Sequence, residues 1–337
     1  MKNVCVVGYG AIGPIHASAL AGMTNARFYG ICDISAQKRA LCLKKYAEKG
    51  MILKEYDDFD KMLQDENIHC IHICTPHYLH FEMIKKALAA GKDVVTEKPV
   101  TRTKEEYEQL LVMDGAEKVC VVLQNRLNPG IVKFKEIIES GELGAVKSVR
   151  ALLTWHRDRA YYENSDWRGR WDTEGGGLLI NQAIHTLDYF RYLIGDIVSV
   201  KANMSTYSLE DIIQVEDTLS AYLEFANGVK GIFFATNAYA QNSSPLFEVA
   251  FEKGIVRYED LKLIMNGQVL AEDVAATEGK AYWGSGHAGL FKRFYEDQQY
   301  FNVYDVKNTM ETVFAIYESA HENGKKKSVL QNRDSVL

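Results

Sequence analysis

Three stretches of the chain carry residue types at spacings that could do chemistry. The first is Gly8-Tyr9-Gly10-Ala11-Ile12-Gly13, a G-x-G-x-x-G string between the apolar run NVCVV and a helix-compatible segment. In that context the string is a pyrophosphate cradle. Gly8 permits the tight turn, Gly10 lets the backbone approach the phosphates, and Gly13 lets helix and strand pack closely. The backbone at Ala11 and Ile12 opens the helix, whose free N–H groups and dipole hold an anion, and Pro14 fits the first turn. Asp33 ends the next apolar run, twenty residues after Gly13, where a carboxylate accepts the adenine-ribose hydroxyls. A carboxylate there repels a 2′-phosphate, which favours NAD over NADP, although Lys38 and Arg39 close downstream could steady a phosphate. The plain alternative is a glycine turn that binds no dinucleotide.

The second stretch is GKDVVTEKPV, Gly91 to Val100. Lys98 stands just past a buried strand and ahead of a proline, an odd place for an ordinary solvated charge. The third is EGGGLLINQAIHTLDYF, residues 174–190, a glycine run feeding a helix. Asn181 and His185 are four apart and share a helical face. A histidine there suits proton transfer near neutral pH; a core histidine satisfied by Asp188 is the alternative. Just upstream, residues 154–171 hold three tryptophans, two tyrosines, four arginines and a histidine. Tryptophan faces stack on sugar rings, and arginine forks take carboxylate or phosphate. Trp155, Tyr161, Trp167, Arg168 and Trp171 are the substrate-binding candidates, with Arg126 as another. The basic excess suits an anionic substrate, or is paired with Asp158, Asp166 and Asp172. Thr75-Pro76 stops the third strand at the edge where such sheets bind ligands. His80 could touch cofactor, whereas His77 and His287 read as loop or cap histidines.

These residues need elements to position them. Residues 1–123 alternate apolar strands (ending near Val7, Asp33, Pro76, Pro99 and Arg126) with amphipathic helices over 13–22, 35–49, 78–90 and 103–114. That is the pattern of a doubly wound parallel sheet covered on both faces. A helix over 128–144 follows, then longer alternating strands with the hairpin turns Asn227-Gly228 and Asn266-Gly267. Residues 124–337 therefore read as a second α/β domain on a large open, mostly antiparallel sheet, with a polar tail over 321–337. The 337 residues carry 47% apolar and 25% charged residues and a net charge of −6. That balance argues against a nucleic-acid partner. No apolar run reaches the roughly 18 residues needed to span a bilayer, and the N-terminus does not read as a signal peptide, so the expected location is cytoplasmic. The six cysteines, all within the first 120 residues and none in a C-x-x-C pair, read as reduced core residues. No metal site is expected.

The Gly8–Gly13 string, Thr75-Pro76 with His80, Glu97-Lys98-Pro99, and Asn125-Arg126 with Asn128-Pro129 together resemble the Gfo/Idh/MocA oxidoreductases, the glucose-fructose oxidoreductase and inositol dehydrogenase relatives. The resemblance covers residues 1 to about 320. It implies an NAD(P)-dependent enzyme acting on a secondary alcohol or ketone of a sugar, sugar nucleotide or cyclic polyol. It also implies that the open sheet is buried against another subunit in a homodimer or homotetramer, with nicotinamide in a cleft between the domains. By the same resemblance, Thr75, Pro76, His80, Glu97, Lys98 and Asn125 lie against the cofactor, the Lys98–Pro99 bond is cis, and Lys98 reaches the reacting hydroxyl. There its ammonium stabilises alkoxide charge, with His185 as base. Many relatives carry aspartate where this chain has Asn181. The string WRGRWDTEGGGLLINQAIHTLD looks more like the sugar-nucleotide 3-dehydrogenase and 3-ketoglycoside branches, which points to C3 of a pyranose. Two alternatives stay open: an enzyme that recycles bound NAD during glycoside cleavage or elimination, and a sugar- or dinucleotide-sensing regulator without turnover.

Overall fold

The computed structural model describes residues 1–275, 284, 286–296 and 298–329. Its first elements are β1 (Lys2–Val7), α1 (Gly13–Ala21), β2 (Ala26–Cys32), α2 (Ala36–Ala47), β3 (Lys54–Tyr56), α3 (Phe59–Leu63), β4 (Cys70–Ile73), α4 (His77–Ala89), β5 (Asp93–Thr96), α5 (Lys104–Leu111) and β6 (Val119–Val121). The six strands form one parallel sheet in the order 3-2-1-4-5-6. Strand order reverses between β1 and β4, and the crevice outside their carboxyl ends is where doubly wound sheets take ligands. β3 and α3, absent from the sequence reading, are three and five residues long, too short for an apolar period to announce them. α5 starts on a capping box in which Thr103 and Glu106 bond each other's backbone.

Chain and sheet then change character. α6 (Pro129–Ser140) is followed by β7 (Val146–Thr154), α7 (Arg159–Glu163), α8 (Ile184–Tyr189), β8 (Ile197–Ser205), β9 (Thr218–Phe225), β10 (Lys230–Thr236), β11 (Leu246–Phe251), β12 (Gly254–Glu259), β13 (Lys262–Met265) and β14 (Gln268–Glu272). α9 (Gly286–Tyr295), α10 (Lys307–His321) and β15 (Lys327–Ser328) complete the described elements. The nine-stranded sheet runs 14-13-12-11-7-10-9-8-15, antiparallel except at β7–β10. α6 ends at Ser140 rather than at 144, because Gly141 takes the left-handed conformation that closes a helix. α8 is flanked by π-helical turns, Leu179–Ala183 and Phe190–Ile194.

Two compact units result: Met1–Gln124 with Ala276–Val306, and Asn125–Ala275 with Lys307–Leu337. The expected division of 1–123 and 124–337 is corrected here. The chain returns to the first unit because α9 packs its buried face, including Leu290, Phe291 and Phe294, on α1. Phe301 also accepts a backbone bond from Val121 beside β6. No segment with so ordinary a helical period advertises which sheet it will join. The six cysteines are buried and free, and burial pushes the Cys32 and Cys70 thiols up to about 12. Among the described residues no helix is long and apolar enough to cross a membrane.

In the second unit, the Arg126 guanidinium forks onto Asp188 of α8, Nε and Nη2 lying 2.7 and 2.6 Å from its carboxylate oxygens, both side chains 2% exposed. Thr309 of α10 donates to the same carboxylate. The turn leading into α8 is held by Glu216, whose carboxylate accepts the Gly177 and Leu179 N–H groups and the Tyr317 hydroxyl. Gly177 has no room for a side chain there: a Cβ would stand 2.1 Å from the Glu216 carbonyl oxygen.

Breaking a buried pair strands the surviving charge, so Asp188→Ala should destabilise the protein by roughly 3–5 kcal/mol in urea unfolding. An Arg126→Met/Asp188→Leu double variant should recover most of the loss. Burial pushes the Glu216 carboxyl up to about 7 against the hydrogen bonds it accepts. The folded state therefore holds its proton more tightly than the unfolded chain, and stability should fall as pH rises from about 4.5 towards 7. Unfolding midpoints across that range should flatten in Glu216→Gln.

Candidate active site

The first unit places the glycine turn at the β1–β4 crevice. Gly8 has φ +89°, and a Cβ on it would stand 2.7 Å from the Cys74 carbonyl oxygen. A Cβ on Gly13 would stand 2.2 Å from the Gly8 carbonyl oxygen, so neither position admits a side chain. At Gly10 a Cβ would meet no protein atom within 4 Å. That glycine keeps open a space that the protein itself does not fill, as a cradle for an approaching phosphate requires. Ala11 and Ile12 lead from it into α1, whose first turn carries Pro14. Asp33 stands at the end of β2 with its carboxylate on the Tyr9 and Ser35 N–H groups, at 2.7 and 2.8 Å. Arg39 turns to the Asp33 carbonyl and to Glu55, which leaves it poorly placed to serve a 2′-phosphate. The donor set fits an adenine dinucleotide without one.

Lys98 is half-buried just past the carboxyl end of β5, and its bond to Pro99 is cis. The residue before it lies in a buried hydrogen-bonded chain that sequence spacing could not show. Glu97 Oε2 accepts the Lys98 N–H, and Oε1 faces His16 Nε2 of α1 at 3.1 Å. His16 Nδ1 meets His72 Nδ1 of β4 at 2.9 Å, and His72 Nε2 meets the Tyr295 hydroxyl of α9 at 2.7 Å. Burial lowers both imidazole pKa values, while the histidine partners hold the Glu97 carboxyl well below its ordinary value against burial. With neutral histidines and an ionised Glu97, one arrangement satisfies every link. Tyr295 donates to His72 Nε2, His72 Nδ1–H to His16 Nδ1, and His16 Nε2–H to Glu97. Glu97, which by its residue type reads as a positioning or capping group, is thus enclosed by its own partners directly before Lys98.

His80 is enclosed in the same way. It is fully buried, with ring nitrogens 2.7 Å from the Pro99 carbonyl and 2.9 Å from the Thr75 carbonyl. It clamps the ends of β4 and β5 together, which holds half-buried Thr75 and Pro76 at the ligand edge. His16, Glu97 and His287 are the described group able to hold a metal ion, with ligand atoms within 4.8 Å of one another. Both His16 nitrogens, however, already have protein partners.

In the second unit, Asn181 lies in the π-helical turn and His185 in α8, both half-buried. The amide of Asn181 donates to Glu174, a fully buried carboxylate just ahead of the glycine run. Sequence reasoning passed over Glu174; its place beside Gly175 was the one available signal. Asp188 accepts the Arg126 fork, as described above. Gln182 bonds the Tyr161 hydroxyl at 2.9 Å, and Arg168 stacks over the Tyr161 and Trp167 rings. These aromatic and cationic side chains are half-buried. Three of the substrate candidates are bonded into the protein. Arg126 is enclosed with its fork on Asp188. Trp155 is 4% exposed and donates to the Ser243 carbonyl. Trp171 donates to the Gln214 carbonyl and packs on Tyr317 and the Tyr162–Leu209–Ile213–Val215 cluster. Trp155 and Trp171 anchor loops, which composition alone cannot distinguish from ligand stacking. Asn125 is half-buried beside Tyr189.

Comparison with known proteins agrees with this arrangement. Residues 2–125 match the oxidoreductase family with an NAD-binding Rossmann fold, and residues 131–257 match the GFO/IDH/MocA C-terminal domain. Levoglucosan dehydrogenase of Pseudarthrobacter phenanthrenivorans is 28% identical over 317 residues, 85% of this chain and 81% of that protein. Myo-inositol 2-dehydrogenase of Thermotoga maritima is 25% identical over 302 residues, 88% of this chain and 84% of that one. The WlbA dehydrogenase of Bordetella pertussis, solved with NADH and UDP-GlcNAcA, superposes with a TM-score of 0.82 at 26% identity, covering 98% of this chain and 99% of its own. A switch-point glycine cradle with an acidic strand end, followed by a histidine-bearing helix on a large open sheet, makes this chain a member of the GFO/IDH/MocA family of NAD-binding sugar dehydrogenases.

Proposed function

We propose that this enzyme oxidises a ring hydroxyl of a pyranose or a pyranose derivative, at C3, with Lys98 and His185 as its catalytic residues. The observation that carries the reading is the half-buried Lys98 at the ligand edge of β5, braced from behind by Glu97 and the His16–His72–Tyr295 chain. When bound, the nicotinamide supplies the acceptor for hydride from the ring carbon. Lys98 donates to the substrate oxygen and stabilises the negative charge that grows on it. His185 takes the hydroxyl proton, and Asn181 orients a ring hydroxyl. Half-buried Tyr161, Trp167 and Arg168 offer stacking faces and a cation, which suits a sugar that bears an anionic group. The relatives named for levoglucosan and crystallised with UDP-GlcNAcA support that substrate class. Gly10, Asp33 and the α1 start hold the dinucleotide.

The reading includes a homodimer or homotetramer. The face of the nine-stranded sheet that bears Leu152, Tyr222, Ile232, Phe234 and Ile255 leaves these large apolar side chains exposed, and a second copy is the occupant that resemblance implies. The cytoplasm is the assigned compartment, a choice supported by six buried thiols with no disulfide.

NADH absorbance should be followed with NAD and levoglucosan, myo-inositol, UDP-GlcNAcA and free hexoses. One pyranose of the panel should be oxidised, with kcat lower by about a hundredfold or more in Lys98→Ala and in His185→Ala. Full turnover in either variant would remove that residue from the mechanism. Gly10→Ala should keep the wild-type unfolding midpoint yet bind NAD far more weakly in calorimetry, because its methyl group enters only the space kept for the phosphates.

A further inference from the structure

Two arginines of the second unit lack the countercharge that others in it find. Arg126, Arg150 and Arg159 each pair with a carboxylate. Among the described residues Arg157 and Arg168 pair with none, and each has a buried Nε without a hydrogen-bond partner. Arg157 is 8% exposed. Its Nη1 donates to the His156 carbonyl and to Asn242 Oδ1 at 2.6 and 2.8 Å, both neutral acceptors. Arg168 is half-buried, with its guanidinium over the Tyr161 and Trp167 rings. The two cations share one of those rings: Cζ of Arg157 lies 5.3 Å, and Cζ of Arg168 4.4 Å, from the centre of Tyr161. Taking a guanidinium out of water without an anion is costly, and an aromatic face offsets only part of that cost. The acids close by do not complete the balance. Asp158 turns Oδ1 to the Tyr161 N–H as a helix cap. Glu174 interacts with the Arg168 charge, yet burial pushes its carboxyl up to about 8, so most of it is protonated at neutral pH.

We propose that Arg157, Arg168 and Tyr161 form an anion subsite, which binds an oxyanion carried by the sugar, a carboxylate or a phosphoryl group, and so selects charged sugars over neutral ones. The inference deepens the proposed function and rests on its placing of the sugar against the helix that bears His185. A guanidinium fork matches the oxygens of either group, and an oxyanion supplies the charge that both arginines lack. The subsite is tied to the His185 helix through Tyr161. The Tyr161 hydroxyl accepts from Nε2 of Gln182 at 2.9 Å, and Gln182 follows Asn181 and stands three residues before His185. Asn237, just past the end of β10, holds both sides of the subsite. Its Nδ2 lies 3.3 Å from Gln182 Oε1, and its carbonyl accepts the Arg157 N–H at 3.0 Å. An anionic substituent held there fixes one end of the sugar relative to His185, so the subsite sets the register of the ring as well as its affinity.

Calorimetry on the full-length protein loaded with NADH gives the test, because NADH accepts no hydride and the sugar binds without turning over. Two pairs of probes separate the two sources of charge. N-acetylglucosamine 1-phosphate against N-acetylglucosamine reads a phosphoryl group, and UDP-GlcNAcA against UDP-GlcNAc reads a carboxylate. In one pair the charged member should bind more tightly by roughly ten- to a hundredfold, the worth of one charge-assisted hydrogen bond. Arg168→Gln should remove most of that ratio, and Arg157→Gln likewise. Arg157 also holds the His156 carbonyl and Asn242, so its variant is scored beside its unfolding midpoint. Arg168→Gln decides the matter if Arg157→Gln fails to fold. A ratio near one in both pairs, or a ratio that survives Arg168→Gln, overturns the inference. That result, obtained while Lys98→Ala and His185→Ala still abolish turnover, strikes the subsite alone. Full turnover in those two variants strikes the proposed mechanism instead, and the binding ratios are read independently of it.

Discussion

The ligand edge of the first unit depends on one buried anion. Glu97 carries a charge into a place with almost no water, directly before Lys98, and an unsatisfied carboxylate there would cost several kcal/mol. Its oxygens are satisfied by the Lys98 N–H on one side and His16 on the other. His16 is aligned by His72, and His72 by Tyr295. One chain of donors therefore ties α1, β4, β5 and α9 to the backbone of Lys98. Because every donor in it points the same way, neither histidine tautomer is arbitrary. The returning helix α9 belongs to the first unit for this reason as well as for its apolar face.

The second unit solves a related problem with three carboxylates. Asp188 is paid for by the Arg126 fork and by Thr309, and that fixes α8. Glu216 closes the open N–H groups of the glycine run that leads into the helix. Glu174 holds Asn181. Buried acids in such number are unusual for a sheet domain. Each one lies in the stretch from 169 to 189 or bonds its backbone, so they order that short stretch rather than the fold at large.

Much of this was legible from residue types. The glycine string, Asp33 and the alternation of apolar strands with helices announced the Rossmann unit, because a cradle for phosphate needs backbone without side chains at fixed offsets. The helix bearing Asn181 and His185 was legible through the glycine run before it. Individual aromatic and charged residues were less so. Trp155 and Trp171 looked the same in sequence as Trp167, yet two are bonded into the fold through their indole N–H groups and the third flanks Arg168. Arg126 and His80 were read as ligand contacts because they stand next to motif residues. In fact their side-chain nitrogens are directed inward, onto Asp188 in one case and towards two strand-end carbonyls in the other.

The sequence by itself determined the nucleotide cradle, the acidic end of its second strand, and the sheet types of the two halves. Those features follow from local rules: φ freedom at glycine, charge at a strand end, and the period of apolar residues. Tertiary structure alone decided that residues near 290 return to the first unit, that Glu97 is braced by His16, His72 and Tyr295, and that Asn181 answers to Glu174. Each of these joins groups far apart in the chain or fixes which end of a side chain faces which neighbour. Hydrogen-bond direction and burial are properties of the packed interior, and no spacing in a linear string encodes them.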